Sequence, residues 1–504
     1  MDAKSPHIKN RDTPQWGLYQ RNMFWKVNEG EVPPFNTRES ILSSLPPFVR
    51  PSPYTPYLNL SQLTHQLTPL PLPPTDPDAL ESLARQKLSQ NGWLYASSNA
   101  GLSHTHLANR QAFFRHKLIP RQLVDTNERS TLTTLSVGGM KWKVSAPIGI
   151  APVGINKIYH DRGELAVAKA AGELGLVYSL STAGSYPIED VGAANDAGRA
   201  DRFVANKNLD NLTTDKGGNH HENSRKVPSA PRFFQLYMPH DDELTLSLLK
   251  RAHVAGFEAC ILTTDTPQLG WRHDDVATSN YAFYRGIGGE MGFTDPVFQK
   301  RMRAAGVDDP SKDPVKAATM WIDTIWHGRA WSWEKAVWAR DKWREIAGRD
   351  KPFLIKGIQS VSDAKRAREL GFEGVVVSNH AGRQVDGAVG SLDALESIVK
   401  AVGGDDDDDK NFTVMFDSGV RGAADVMKAL ALGAKFVFIG RLWIWGLAIM
   451  GEEGVRHVLR SLLADFDILM NVMGVRSVEE IVGNGDLLES GPRVYGLLNE
   501  KSKL

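Results

Sequence analysis

The chain has 504 residues, 41% hydrophobic and 23% charged, with a formal net charge of zero. That is an ordinary globular composition, long enough for one large barrel-sized domain with additions, and its balanced charge offers nothing to nucleic acid or to an anionic membrane. The single cysteine, Cys260, excludes an internal disulfide and any Cys-x-x-Cys metal or redox pair, so a compartment that needs no disulfides is expected. Met1 to Lys26 is polar and has no secretory apolar core. The most apolar stretch, Phe436 to Met450, is too short to span a bilayer and contains Arg441.

Prolines recur from Pro33 to Pro74. They oppose helix interiors and central strands, so residues 1–75 read as an irregular extension lying along a folded body. Residues 76–504 read as the folded domain. It opens with Asp76 as N-cap and Pro77 at the first helical position. Leu80, Leu83, Ala84 and Leu88 follow at helical spacing, and Asn91-Gly92 is expected to stop that helix.

Downstream, short apolar runs alternate with helical patterns. The strand candidates are Ile148 to Pro152, Leu176 to Leu180, Phe233 to Tyr237, Ala259 to Thr263, Phe353 to Lys356, Gly374 to Ser378, Val414 to Asp417 and Phe436 to Gly440. Amphipathic segments such as Glu164 to Leu174, Asp241 to Ala255, Ser362 to Leu370 and Ala423 to Leu432 lie between them. Eight β-then-α units in series favour a closed (β/α)8 TIM barrel over a doubly wound sheet. Polar residues finish several strands: Gln235 and Tyr237, Thr263 and Asp265, Lys356, Ser378 and His380, Asp417. A barrel gathers such ends at one mouth.

The fourth connection, residues 266–351, is far longer than an ordinary βα loop and rich in Trp and Gly; loops of that size are usually lids or binding loops. Asp405 to Asp409 reads as a solvated surface loop, and the His220-His221 pair has no metal-ligand spacing. The chain lacks G-x-G-x-x-G, a phosphate-loop lysine motif and H-E-x-x-H, so nicotinamide, nucleoside-triphosphate and zinc-protease readings have no support. The densest polar cluster is S-N-H-A-G-R-Q-V-D-G, Ser378 to Gly387, directly after the Gly374 to Val377 run. It joins a histidine able to move a proton near neutral pH to an arginine able to grip a carboxylate with two hydrogen bonds.

That cluster resembles the S-N-H-G-G-R-Q segment of the FMN-dependent α-hydroxy acid oxidising family, with Ala381 for the first glycine. The resemblance runs from about Asp76 to Leu497. Y-A-S-S-N-A-G at Tyr95 is similar to Y-x-A-S-G-A-G, Ala151-Pro152-Val153-Gly154 to A-P-T-A, Phe234 to Tyr237 to F-Q-L-Y, and Asp417 to Arg421 to D-G-G-V-R. It implies a bound FMN, contacted by Ala151, Pro152, Val153, Ser181, Gln235, Thr263, Lys356, Ser378, Asp417, Ser418, Gly419, Arg421, Gly440 and Arg441. It implies further that Tyr95, Arg272 and Arg383 hold a substrate carboxylate and that Tyr237 meets the substrate hydroxyl. His380 would take a proton, Asp265 would steady the resulting imidazolium, and Lys356 would stand beside the flavin N1 and C2 carbonyl. No metal is expected.

Gly270-Trp271-Arg272, Thr294 to Lys300, Trp326-His327-Gly328, Lys356 to Gln359 and the D-S-G of Asp417 to Gly419 resemble the lactate 2-monooxygenase branch. The expected substrates are therefore a small L-2-hydroxy acid and O2, the 2-oxo acid being decarboxylated oxidatively before release. Two alternatives stay open: a (S)-2-hydroxy-acid oxidase that releases 2-oxo acid and H2O2, and a non-catalytic FMN-binding protein. The resemblance also implies a homo-oligomer, a tetramer or larger. The chain ends in Ser502-Lys503-Leu504, a peroxisomal address. Deleting those three residues should move a fluorescently tagged protein from peroxisomes to cytosol with its activity unchanged; a full-length protein already diffuse would show that the tripeptide is not read.

Overall fold

Eight short parallel strands close on themselves: β1 Ile148–Ile150, β2 Val177–Ser181, β3 Arg232–Leu236, β4 Ala259–Thr263, β5 Phe353–Ile358, β6 Gly374–Val377, β7 Thr413–Phe416 and β8 Phe436–Ile439. Neighbours in sequence are neighbours in the sheet, and β8 returns to β1 through Val437↔Ile148 and Ile439↔Ile150. The computed structural model describes residues 73–213, 228–278, 280–326, 328–403 and 412–492. The proline-rich segment to residue 72, the His220-His221 pair, the aspartate run and the terminal Ser502 to Leu504 lie outside those residues.

Helices α1 Gly163–Leu174, α2 Ile188–Thr213, α3 Asp242–Val254, α4 Trp333–Ala347, α5 Val361–Glu369, α6 Ser391–Val402, α7 Ala423–Ala431 and α8 Arg441–Val472 follow the strands in turn. Local chemistry marks their ends. Asp241 caps α3 by accepting from Leu244 N at 3.2 Å, Ser360 caps α5 by accepting from Asp363 N at 3.1 Å, and Gly175 ends α1 at φ 65°. The main core lies between strands and helices. A second, smaller core fills the barrel's amino end, where the hairpin Thr133–Val137/Met140–Val144 inserts Leu135, Val137, Trp142 and Val144 against Phe233, Leu354, Met415 and Phe436.

Two expectations need correction. The helix Pro77–Lys87 is capped as expected, Asp76 Oδ1 accepting from Ala79 N at 2.7 Å. It stops before Asn91-Gly92, however, and Gly92 lies inside a second helix, Gln90–Ser97, whose cap is Ser89. Ser89 offers an oxygen that Gly92 N reaches at 3.2 Å, and that contact outweighs the weak helix propensity of glycine. Residues 266–351, secondly, are not a single lid loop. Their last part is the barrel helix α4. The rest is built from short helices, including Pro296–Ala304 and Pro314–Ile325, which pack into the main core, where Phe298 and Trp321 meet edge to face at 5.1 Å. Asp295 ties it to the barrel: it is fully buried, caps Val297 and Phe298, and accepts from Ser247 Oγ at 2.8 Å and Arg251 Nη1 at 3.2 Å on α3.

Trp343 on α4 is fully buried and stacks its edge on His253 of α3. Trp343→Ala should therefore cost about 3–5 kcal/mol of stability, the usual loss for a buried aromatic, read by chemical denaturation; a loss under about 1 kcal/mol would mean α4 is a dispensable part of the insertion.

Candidate active site

Side chains on a strand alternate between its two faces. Phe233, Ile261, Leu354, Val376, Met415 and Phe438 belong to the small core inside the barrel. Two residues further along each strand, the same inward face carries Gln235, Thr263, Lys356, Ser378, Asp417 and Gly440. Ser181 follows Val177 by four, and Ala151 continues from Gly149. One polar layer thus sits above one apolar layer. At β5 the register shifts between Lys356 and Ile358. Gly357 makes the shift at φ 104°, and a Cβ there would come within 2.7 Å of Asp265 Cβ, so glycine alone allows this bulge in the β5–β6 pairing.

Above this layer lies a cleft of about 1070 Å³, its open mouth included. His380 lines it. Its Nδ1 lies 2.9 Å from Asp265 Oδ1 and 3.1 Å from Thr266 Oγ1, and that hydroxyl donates to the same carboxylate oxygen at 2.8 Å. Burial raises the Asp265 pKa, but His380, Lys356 and the hydrogen bonds outweigh it and hold the carboxyl at about 2. Burial also pulls the His380 imidazole below its ordinary value, against the opposing pull of Asp265. Near neutral pH the pair is therefore a carboxylate and a neutral imidazole. With Nδ1–H donated to Asp265, Nε2 carries the free lone pair.

Positive charge is concentrated around them. Arg272, Lys356, Arg383, Arg421 and Arg441 all line the cleft, and among the described residues Asp417 is the only carboxylate that does. Burial, and then Arg383, bring Arg272 down to about 9; burial, then Arg383 and Arg421, do the same to Arg441. Such crowding favours anions at two places. Lys356 keeps its charge: burial disfavours it, yet Asp417 and Asp265 raise its pKa, with Asp417 Oδ2 3.3 Å away and Ser378 Oγ accepting at 2.9 Å. Arg383 donates to the carbonyls of Tyr95 and Ser98 at 2.7 Å, which fixes it beneath the Tyr95 ring. Gly270 lets the insertion pass against this loop, since a Cβ there would meet Arg383 O at 2.7 Å. Burial raises the phenol pKa of both Tyr95 and Tyr237, so both stay neutral donors.

Every candidate site residue falls in or against this cleft. Tyr95, Ala151, Pro152, Val153, Ser181, Tyr237, Arg272, Lys356, His380, Arg383, Asp417, Ser418, Gly419, Arg421, Gly440 and Arg441 line it directly. Asp265 and Ser378 touch it through His380 and Lys356. Gln235 accepts from Ser181 Oγ at 3.0 Å, and Thr263 pairs in register with Lys356. The motif from Thr294 to Lys300 reaches no part of the cleft; it starts a helix of the insertion. His106, Tyr159, Leu269 and Trp326 line the cleft as well and were not among the candidates. His106 sits on the helix His104–Arg115, outside any motif. Burial, Arg441, Arg421 and Arg110 take it down to about 3, so it is neutral. Trp326 comes from the insertion and meets Tyr237 edge to face at 5.5 Å. Among the described residues no group of His, Cys, Asp or Glu could hold a metal ion, and no helix is long and apolar enough to cross a membrane.

The chain is similar to known proteins over most of its length. Residues 84–488 match the family model described as FMN-dependent dehydrogenase. The chain is 42% identical over 416 residues to the FMN-dependent alpha-hydroxy acid dehydrogenase qulF of Penicillium citrinum, covering 82% of this chain and 90% of that one. It is 35% identical over 401 residues to the L-lactate oxidase of Lysinibacillus sphaericus, covering 79% and 89%. With the peroxisomal (S)-2-hydroxy-acid oxidase GLO4 of Oryza sativa it shares 31% over 418 residues, 83% and 97% of the two chains. The crystal structure of mandelate oxidase superimposes with a TM-score of 0.63 at 30% identity, covering 83% of this chain and 99% of that one.

The electrostatics of the His380–Asp265 pair give a signed expectation. Because the Asp265 charge raises the imidazole pKa, Asp265→Asn should lower it further, seen as a histidine signal that titrates at more acid pH in 15N-labelled protein. An unchanged titration would mean the two side chains are not in contact.

Proposed function

The chain belongs to the FMN-dependent dehydrogenase family, and from that premise we propose that it oxidises a small L-2-hydroxy acid to the 2-oxo acid, with O2 as the final electron acceptor. The observation that carries this reading is the neutral His380 held by Asp265, beside Arg272, Arg383 and Lys356 in one cleft.

The residues present suit FMN. Gln235 Nε2 and Thr263 Oγ1 are buried without a hydrogen-bond partner, as expected of groups meant to meet the polar edge of a flavin ring. Gly440, at the start of α8, has no side-chain cap and nothing within 4 Å of where a Cβ would stand. A helix N-terminus left open between Arg421 and Arg441 suits a phosphate. Arg421 now pairs with Glu81 at 2.5 Å. Bound FMN supplies the two-electron acceptor that no side chain of this protein can provide.

The chain's own residues would do the rest. Arg272 and Arg383, with the Tyr95 phenol, grip the substrate carboxylate and so orient the α-carbon. Tyr237 donates to the α-hydroxyl. His380 Nε2 takes a substrate proton, and the Asp265 carboxylate steadies the imidazolium that forms. The fixed Lys356 ammonium offsets the negative charge that accompanies cofactor reduction. A non-catalytic FMN-binding protein would need none of this base and anion-binding set.

One observation favours a second fate for the product. Thr266, Leu269, Arg272 and Trp326, all from the insertion, wall the cleft. A product held there would be decarboxylated oxidatively, as in a lactate 2-monooxygenase, giving a carboxylic acid, CO2 and water in place of 2-oxo acid and H2O2. We further propose a peroxisomal address from the terminal tripeptide and the rice relative's name, and a homo-oligomeric state from the family resemblance.

Anaerobic addition of 2-hydroxy acids should bleach the yellow purified protein. His380→Gln should retain FMN but slow that bleaching by ~10²–10⁴-fold, the usual contribution of a general base; near-normal reduction would put the base elsewhere. Assaying H2O2 and CO2 together on the best substrate separates the two product fates: stoichiometric H2O2 with no CO2 makes the protein a plain oxidase.

A further inference from the structure

Three residues of the site stand in backbone that L-residues rarely adopt. His380 and Ala381 stand at φ 56° and 57°, and Ser418, across the cleft on the loop after β7, at φ 89°. Ala381 and Ser418 both carry side chains where the resembling motifs carry glycine. The two loops are joined at that point: Ala381 N donates to Ser418 Oγ at 2.9 Å, and Ser418 Oγ donates to Asp417 Oδ1 at 2.8 Å. One hydroxyl can do both, having one hydrogen to give and lone pairs to accept.

These bonds belong to a closed circuit. The other Asp417 oxygen lies 3.3 Å from Lys356 Nζ, which donates to Ser378 Oγ at 2.9 Å; Ser378 Oγ in turn accepts from His380 N at 3.1 Å. Both peptide N–H groups of the left-handed turn, at His380 and at Ala381, are thus held by serine hydroxyls tied to the same lysine–aspartate pair. Ser378, Lys356, Asp417 and Ser418 are all buried. A turn in strained backbone persists only where its surroundings hold it, and a buried N–H without a partner is costly.

We propose that Ser418 is a positioning residue for proton transfer: its hydroxyl pins the Ala381 amide and so keeps the His380–Ala381 turn in the form that sets the imidazole on Asp265. The inference rests on the reading of His380 as the base. Glycine at 418 would fit the backbone equally well but would leave the Ala381 amide unbound.

Ser418→Gly removes the hydroxyl without opposing φ 89°, so the fold is not at risk; Ser418→Ala removes it while keeping a Cβ. FMN affinity of the apoprotein, from quenching of flavin fluorescence, is measured for both variants so that rates are compared at saturating FMN. Anaerobic flavin reduction should fall by about tenfold or more, since a ~1 Å displacement of a reacting group costs ~10²-fold. The acid limb of the rate–pH profile should move to lower pH, because an imidazole that loses Asp265 loses the charge that raises its pKa. Three results would overturn the proposal: an unchanged rate and pH profile in both variants; a slow Ala variant beside a normal Gly variant, which would make backbone strain the only effect; or FMN affinity weakened tenfold with the rate at saturation unchanged, which would make Ser418 a cofactor ligand. His380→Gln, measured in parallel, keeps the tests apart: normal reduction in that variant overturns the base assignment, whereas a slow His380→Gln beside a normal Ser418→Gly overturns the positioning role alone.

Discussion

The site depends on the period of two in a closed sheet. Eight parallel strands with no edge leave each side chain one of two places, the helix-facing core or the barrel interior. Apolar residues fill the lower inward layer and the hairpin seals it from below. The next inward layer, from Ala151 and Ser181 round to Asp417 and Gly440, can then be polar only because it opens on a cleft that a ligand will share. A one-residue slip in any strand would turn its polar residue into the helix-facing core. The bulge at Gly357 is the one departure, and it falls beside Lys356 and Asp265.

Charge is the second constraint. Among the described residues, five cationic side chains line one cleft with a single carboxylate, an arrangement that opposes stability and makes sense only with anionic ligands. The protein keeps the pieces apart by fixing each one separately. Arg383 is fixed by carbonyls, Arg421 by Glu81, and Lys356 by Asp417. Two further arginines, Arg272 and Arg441, are held down to about 9 by burial and by the arginines beside them. They mark where a carboxylate at the insertion side and a phosphate at the α8 side would complete the balance. Asp265 instead orients the imidazole, while burial holds the His380 pKa below its ordinary value.

The insertion between β4 and α4 shapes the cleft and brings Arg272 into it. It contributes a wall through Leu269, Arg272 and Trp326, and its Phe298 and Trp321 pack into the main core. Asp295 anchors it to α3 through buried hydrogen bonds.

Much of this was legible in the residues. Short β-branched runs separated by helical spacing identify all eight barrel strands, because buried parallel strands need continuous apolar sequence, and polar residues closing those runs mark the mouth. The capping pair Asp76-Pro77 and the buried Cys260 follow from local chemistry in the same way. What the chain alone did not disclose are relations between distant segments. The second helix through Gly92 depends on one serine cap. His106 and Tyr159 reach the cleft from elements that carry no motif. The 266–351 stretch proved to contain α4, since Trp-rich helical spacing reads alike in a lid and in a barrel layer. The circuit from Lys356 through Asp417 and Ser418 to the Ala381 amide joins strands β5, β6 and β7, and no local pattern records which hydroxyl meets which N–H. Periodicity and motif order thus determined the barrel and the inventory of its chemistry, because both are local properties of a strand. Closure of the barrel decided the pairings, the burial and the pKa directions, because these depend on the distances that only packing sets.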